Sequence, residues 1–205
     1  MYLITEDQKK RNVIRNWEMN IIKIYNKDWD KSMSTQSGRI FNNITSLPRE
    51  LRNCLHLNDG EVLTEIDIAN SQPFLFNILL SKNFDLDKDL FGDKYDDIRK
   101  YMQLTKDGKL YDYLITNWSI EVDRNKFKKL FFKHIFYCKI KSNYRYEYSL
   151  KFKDEFPNVF DLVIKLKEGS YNNLAIQLQK DEANIIIHRI GVQLMDLGIF
   201  FLTVH

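Results

Sequence analysis

Arg124, Lys128, Phe132 and Phe136 recur at intervals of four residues, which places two cations and two aromatic rings along one face of a helix predicted over residues 123–140. Cations in such a row can grip the oxygens of a triphosphate, and the rings that continue it offer a stacking surface. Tyr137 follows directly and competes with Phe136 for the last place in the row. An ordinary amphipathic helix with solvated lysines has the same pattern. A second stretch brings Asp67 to the end of a strand predicted over residues 62–68, where a period of two puts Leu63, Glu65 and Asp67 on one side. Asn70 or Ser71 then caps a helix that takes Pro73 in its first turn. A carboxylate at such a junction is in its plainest role a helix cap or an ion-pair partner. In a third stretch, Gln177 to Ile187, Gln179 belongs to the polar residues that lead into an apolar helix, and taken alone it is a surface side chain.

These residues need elements to hold them. Val13, Ile14, Trp17, Ile21, Ile22 and Ile24 recur at helical spacing, so residues 6–25 are predicted as an amphipathic helix, followed by a polar connection over 27–37. Ser46 is expected to cap a short helix through Leu47-Pro48-Arg49-Glu50-Leu51-Arg52, with Arg49 and Arg52 exposed. Asn58-Asp59-Gly60 signals a turn. Further helices are predicted over residues 94–104, 110–117, 123–140 and 150–167, and one long helix over 171–197. The last segment, residues 198–205, is apolar at Ile199, Phe200, Phe201, Leu202 and Val204, the pattern of a buried central strand, and it ends in a polar tip at His205. Two short strands with most helices between them imply an α+β architecture, an antiparallel sheet carrying a helical insertion.

Composition limits the function classes. No apolar run approaches the roughly 20 residues of a membrane helix, and residues 1–15 are charged where a signal peptide would be apolar. The expectation is a cytoplasmic protein without a membrane partner. Cys54 and Cys138 are too few for a disulfide framework and are read as reduced thiols. The net charge of +3 says little, but its distribution says more. Lysines and arginines cluster at 124–133 and 139–153, interleaved with Phe127, Tyr144, Tyr146 and Tyr148. Cations for phosphates and rings for bases make this segment a candidate nucleic-acid surface. The alternative is a set of amphipathic helices with lysines in solvent.

Taken in order, the pieces resemble the palm and fingers of family A DNA polymerases and, more distantly, the single-subunit phage RNA polymerases. Ser37-Gly38-Arg39-Ile40 is similar to the family's T-G-R segment that meets the primer-template. Glu65-Ile66-Asp67-Ile68-Ala69-Asn70-Ser71-Gln72 is similar to motif A, and Arg124, Lys128, Phe132 and either Phe136 or Tyr137 to the motif B helix. Gln179-Lys180-Asp181-Glu182-Ala183-Asn184-Ile185-Ile186 resembles the helix written Q-G-T-A-A-D-I-I, and Val204-His205 the opening of motif C, V-H-D. The likeness runs from about Gly38 to the terminus. It implies a small antiparallel palm sheet with a mainly helical fingers insertion at about residues 84–170. Residues 1–36 would form an N-terminal helix and connection, and 37–205 the polymerase-like part.

The resemblance also implies a chemistry. In-line attack of a 3′-hydroxyl on an α-phosphate uses two Mg²⁺ ions, one lowering the pKa of the nucleophile and one neutralising the leaving pyrophosphate. Asp67 would be the shared carboxylate ligand, with the Ile68 carbonyl a further donor. Arg124 would hold the terminal phosphate, and Lys128 would give a proton or positive charge to the pyrophosphate. Phe132 and Phe136 or Tyr137 would lie against the incoming base, and Gln72 would govern its sugar. Arg39, Gln179 and His205 would meet the primer-template, DNA or RNA. The chain departs from the family in three places. Gln72 replaces a Glu, no Gly follows Tyr137, and the motif C Asp expected after His205 is absent from the 205 residues. The expectation is thus a template-directed nucleotidyltransferase core of a phage or mobile element, truncated or split at motif C, with the missing Asp supplied by a C-terminal part or a second polypeptide. The alternatives are an RNA polymerase relative and a non-catalytic nucleic-acid-binding module that kept the fold.

Overall fold

The computed structural model describes residues 6–56, 60–64, 66–86 and 93–203. Helices dominate. In chain order they are α1 (Glu6–Tyr25), α2 (Arg49–Arg52), α3 (Ser71–Asn83), α4 (Asp96–Lys106), α5 (Leu110–Asn117), α6 (Arg124–Phe131), α7 (Ile140–Asn143), α8 (Glu147–Glu155), α9 (Pro157–Leu166), α10 (Asn173–Ala183) and α11 (Val192–Asp196). Wider π-helical segments occupy Phe132–Phe136 and Asn184–Gly191. Strands β1 (Lys31–Met33) and β2 (Ile40–Asn42) pair antiparallel, with Lys31 opposite Asn42 and Met33 opposite Ile40. The class is α+β and helix-rich, as expected, but the sheet is one hairpin built from other residues than those predicted. The chain divides into two compact units, Met1–Asp67 with Ala183–His205, and Ile68–Glu182.

In the first unit the polar connection of residues 27–37 turns out to supply β1. Its three exposed residues carry no alternation that marks a strand. The hairpin closes through hydrogen bonds from Ser34 N to Arg39 O (2.9 Å) and from Gly38 N to Ser34 O (2.8 Å). Gly38 has φ +70°, a left-handed value that costs a glycine little. Arg39 therefore sits in a turn rather than on a strand or helix. Short helix α2 has Pro48, not Ser46, at its N-cap. Proline's fixed φ and missing N–H suit that boundary, so no side-chain cap is needed.

Neither predicted strand forms among the described residues. The segment before α3 makes one isolated bridge, His56 to Val62, and Val62 and Ile66 are 68% and 88% exposed. Asp67 accordingly stands exposed on irregular backbone. At the other end, hydrogen bonds from Gly198 N to Met195 O and from Ile199 N to Leu194 O (both 2.9 Å) turn the chain back on its own helix. The Phe201 ring then covers Gly191 so closely that a Cβ there would come within 2.5 Å of it. A strand needs a neighbour for its backbone groups, and the run finds none among the described residues: Phe201 packs on Gly191, while Ile199 and Phe200 are 50% and 66% exposed rather than buried as expected. Asn58, Asp59, Glu65, Val204 and His205 lie outside the described residues.

The second unit is helical with an aromatic core. Helix α4 buries Ile98, Tyr101 and Thr105 on one stripe, and α9 buries Val159, Phe160, Leu162 and Val163. Tyr101 meets Phe76, Phe152 and Phe156 edge-on, and its hydroxyl donates to Pro73 O (3.1 Å). The helix predicted over 150–167 is two, because Phe156 adopts an extended φ of −134° and Pro157 opens a new helix. That new helix is capped from another element. Asp97 of α4 accepts from Asn158 N (2.8 Å), Asn158 Nδ2 (2.8 Å) and Val159 N (3.4 Å). Asp97→Ala is expected to destabilise the protein by about 1–2 kcal/mol in urea denaturation, the usual cost of a lost cap. A loss below a few tenths would mean water replaces the carboxylate. Among the described residues no helix is long and apolar enough to cross a membrane.

Candidate functional site

Asp123 starts α6 by accepting from Lys126 N (2.9 Å), which leaves Arg124 at the first helical position and half-exposed. Its guanidinium pairs with Asp112 of α5 (3.2 Å), donates to Gly108 O (3.3 Å) and to Asn70 Oδ1 (3.5 Å), and lies 5.5 Å from the centre of the Tyr111 ring. Asn70 holds the N-cap position of α3 in a left-handed conformation (φ 54°) that asparagine tolerates. It makes no side-chain cap bond to its own helix. Its side chain is buried, and Nδ2 has no hydrogen-bond partner among the described residues. The Tyr111 hydroxyl is likewise buried and unpartnered. Burial first, then the neighbouring Tyr137, push that phenol above its ordinary pKa, and Arg124 offsets part of the rise. Lys128, one turn beyond Arg124, is exposed.

The row expected to run from Arg124 to Phe136 does not continue as drawn. After Phe131 the helix widens, and Tyr137 N donates to Phe132 O (2.7 Å), five residues back. In such a turn residues i+4 and i+5 both lie close to residue i. Phe136 meets Phe132 edge-on at 6.0 Å and points into the core, fully buried, with ring centres 5.4 Å from Phe76 and 5.1 Å from Phe131. Tyr137 stacks on the same Phe132 from the less buried side (5.0 Å, 22°), and its hydroxyl donates to Gln72 Oε1 on the first turn of α3. Of the two neighbouring rings, Phe136 is enclosed in the core and Tyr137 stays half-buried beside Phe132.

A buried polar cluster fixes this widened turn. Where it ends, the carbonyls of His134 and Ile135 accept from Asn143 Nδ2 (3.2 and 2.9 Å). Lys167 Nζ donates to Ile135 O and to Asn143 Oδ1 (2.9 Å), Asn143 Nδ2 also reaches Ser149 Oγ (2.9 Å), and Cys138 Sγ donates to His134 O (3.0 Å). Asn143 and Ser149 are fully buried and Lys167 is 1% exposed. Burial pushes the Lys167 ammonium down to about 8, with Cys138 nearby acting in the opposite direction. A buried cation held by neutral oxygens is costly, and it is retained where it satisfies carbonyls that the wide turn leaves without helical donors.

The structure therefore brings together Gln72, Phe132 and Tyr137 at one place, and joins Arg124 to Asn70 two residues before Gln72. Within the first unit Gly38, the neighbour of Arg39, lies against Ala183, where a Cβ on it would come within 3.5 Å of the Ala183 Cβ. Gln179 is half-buried on α10, Arg39 half-buried in the hairpin turn, Asp67 and Ile68 exposed on irregular backbone, and His205 outside the described residues. Sequence reading missed Asp112, Tyr111, Lys167 and Asn143. As donors for a metal pair, Asp67 and the Ile68 carbonyl offer one carboxylate and one carbonyl, and among the described residues no group of three or more His, Cys, Asp or Glu side chains assembles. This donor set does not by itself fit two ions. No known family matches the chain, and no curated protein and no solved structure matches it either.

Proposed function

We propose that this chain is the nucleotide-binding core of a template-directed nucleotidyltransferase, with a primer-template and a nucleoside triphosphate as partners. The observation that carries this reading is the Tyr137 to Gln72 contact. Two stretches read separately as parts of one site, 65 residues apart in sequence, meet through that hydrogen bond. Arg124 and Lys128 take the phosphates, Arg124 by forked hydrogen bonds and Lys128 as a mobile point charge. Phe132 and Tyr137 present a stacked pair of rings to the base. Gln72, held by the Tyr137 hydroxyl, stands at the sugar and bears on the choice between deoxyribose and ribose.

In such an enzyme a pair of Mg²⁺ ions supplies a lowered hydroxyl pKa and a charge for the leaving pyrophosphate. Asp67 and the Ile68 carbonyl are the donors this chain contributes among its described residues, and they do not complete that pair. The exposed, irregular setting of Asp67 favours a second reading, a nucleic-acid-binding module that retains a nucleotide site without catalysis. Titration with a fluorescent nucleoside triphosphate tests the site itself. Arg124→Ala should weaken binding about tenfold or more, since hydrogen bonds to charged groups are worth about 1.5–3 kcal/mol. Unchanged affinity in both Arg124→Ala and Lys128→Ala would remove the reading. Mg²⁺-dependent primer extension then separates the enzyme from the module, and deoxyribonucleotide against ribonucleotide use separates DNA from RNA synthesis.

A further inference from the structure

Away from the Tyr137 contact, four rings from three segments form a column on the second unit. Tyr146 stacks on His134 (4.2 Å, 21°), His134 leans on Tyr148 (5.6 Å, 31°), and Tyr148 lies parallel to Trp118 (6.3 Å, 18°). Phe127, fully buried, props the column edge-on against Trp118 and Tyr148 (6.1 and 5.8 Å). All four rings of the column are half-buried, so each keeps part of its surface in water. Tyr146 ends the column, with His134 as its only ring contact among the described residues. Rings that served only to fill a core would be enclosed like Phe127.

The charge around them is lopsided. Between Trp118 and Lys153 the sequence has ten Lys and Arg against three Asp and Glu. The whole protein carries only +3, so the rest of the chain is net acidic. Of those three acidic residues, Asp123 caps α6 and Glu147 pairs with Lys151 (2.9 Å). Lys126, Lys129, Lys133 and Arg145 are exposed. Lys133 is the chain neighbour of His134. A line of cations beside graded rings matches a ligand with phosphates at regular intervals and unpaired flat bases.

We propose that the Tyr146–His134–Tyr148–Trp118 column with its lysine margin is a docking surface for single-stranded nucleic acid. A base stacks on the Tyr146 end as a fifth ring, and the phosphates run along Lys133 and Arg145. A duplex offers the same charge but keeps its base faces stacked inside. The surface is distinct from the Arg124 site and belongs to the proposed function as the seat of an unpaired strand.

Fluorescence anisotropy with a labelled oligothymidylate of about a dozen nucleotides tests it, with the duplex of equal length and phosphatidylserine vesicles as competitors. The full chain should bind the single strand more tightly than the duplex, with affinity falling as salt rises. Tyr146→Ala should weaken binding at least fivefold, the lower end for one lost base stack. Tyr146→Phe should restore it, and Lys133→Glu should weaken binding while leaving circular dichroism unchanged. Equal affinity of Tyr146→Ala and wild type, or competition by duplex and vesicles as strong as by single strand, overturns the proposal. Arg124→Ala keeps the two readings apart. It should leave oligonucleotide binding intact, and if it also leaves triphosphate binding intact, the nucleotide site fails while the strand surface stands on its own result.

Discussion

Raising the pH from 8 toward 9 should stabilise the folded protein by about 1 kcal/mol through Lys167 alone. An unfolded lysine keeps its proton to about 10.5, whereas burial releases it in the folded state at about 8. Across that window the unfolded chain binds more protons than the folded one, so stability rises with pH. Carried to 10.5 the gain would reach about 3 kcal/mol. Other groups act against it at the upper end. The Cys138 thiol is pushed up from 9.0 by burial, and Tyr101 and Tyr111 are pushed up from 10.0, so each contributes stability that is lost as pH rises past those ordinary values. The measurement is thus a difference, urea denaturation of wild type and Lys167→Met at pH 7, 8 and 9. Wild type should gain on the variant between 8 and 9. Parallel curves would mean that Lys167 keeps its proton in the folded state.

Phe136→Ala and Tyr137→Ala, adjacent and both aromatic, should have opposite consequences. Phe136 is fully enclosed against Phe76 and Phe131, and its truncation should cost about 3–5 kcal/mol through lost burial and a cavity. Tyr137 is only half-buried. Its removal deletes the stack on Phe132 and the bond to Gln72, so stability should change by about 1 kcal/mol while triphosphate affinity falls about tenfold. Thermal denaturation and nucleotide titration on the same two variants decide the matter. A Tyr137→Ala protein that binds triphosphate normally would return the aromatic role to neither residue.

The helices were legible where periodicity alone decides. α1 and α5 begin and end at the residues expected from spacing, and α6 starts one residue after its expected beginning. The strands were not, because an apolar run such as Ile199 to Leu202 has the same composition whether it pairs with a strand or lies on a helix. Only a tertiary partner distinguishes these, and here Gly191 accepts the Phe201 ring. In the site, Arg124, Gln72 and Tyr137 could be named from type and order. Their grouping depended on a change of helical pitch that nothing in Phe132-Lys133-His134-Ile135-Phe136 announces. Lys167 was invisible for a different reason. A lysine near a helix C-terminus is ordinarily a solvated charge that favours the dipole, and its burial follows from carbonyls 32 residues upstream.

The widened turn at Phe132–Phe136 behaves as a one-residue shim in the chain. Upstream of it, α6 keeps its seat on Asp123, and downstream α7 and α8 keep theirs, while the shim alone decides which of two neighbouring rings is offered outward. Removing one residue from that stretch would restore ordinary α pitch and leave Tyr137 beside Phe132, at the fourth place along instead of the fifth, with the helices on both sides in register. The shim thus absorbs one residue of length without moving either flank, and a comparison that aligns residues one for one across it would misassign its most informative ring.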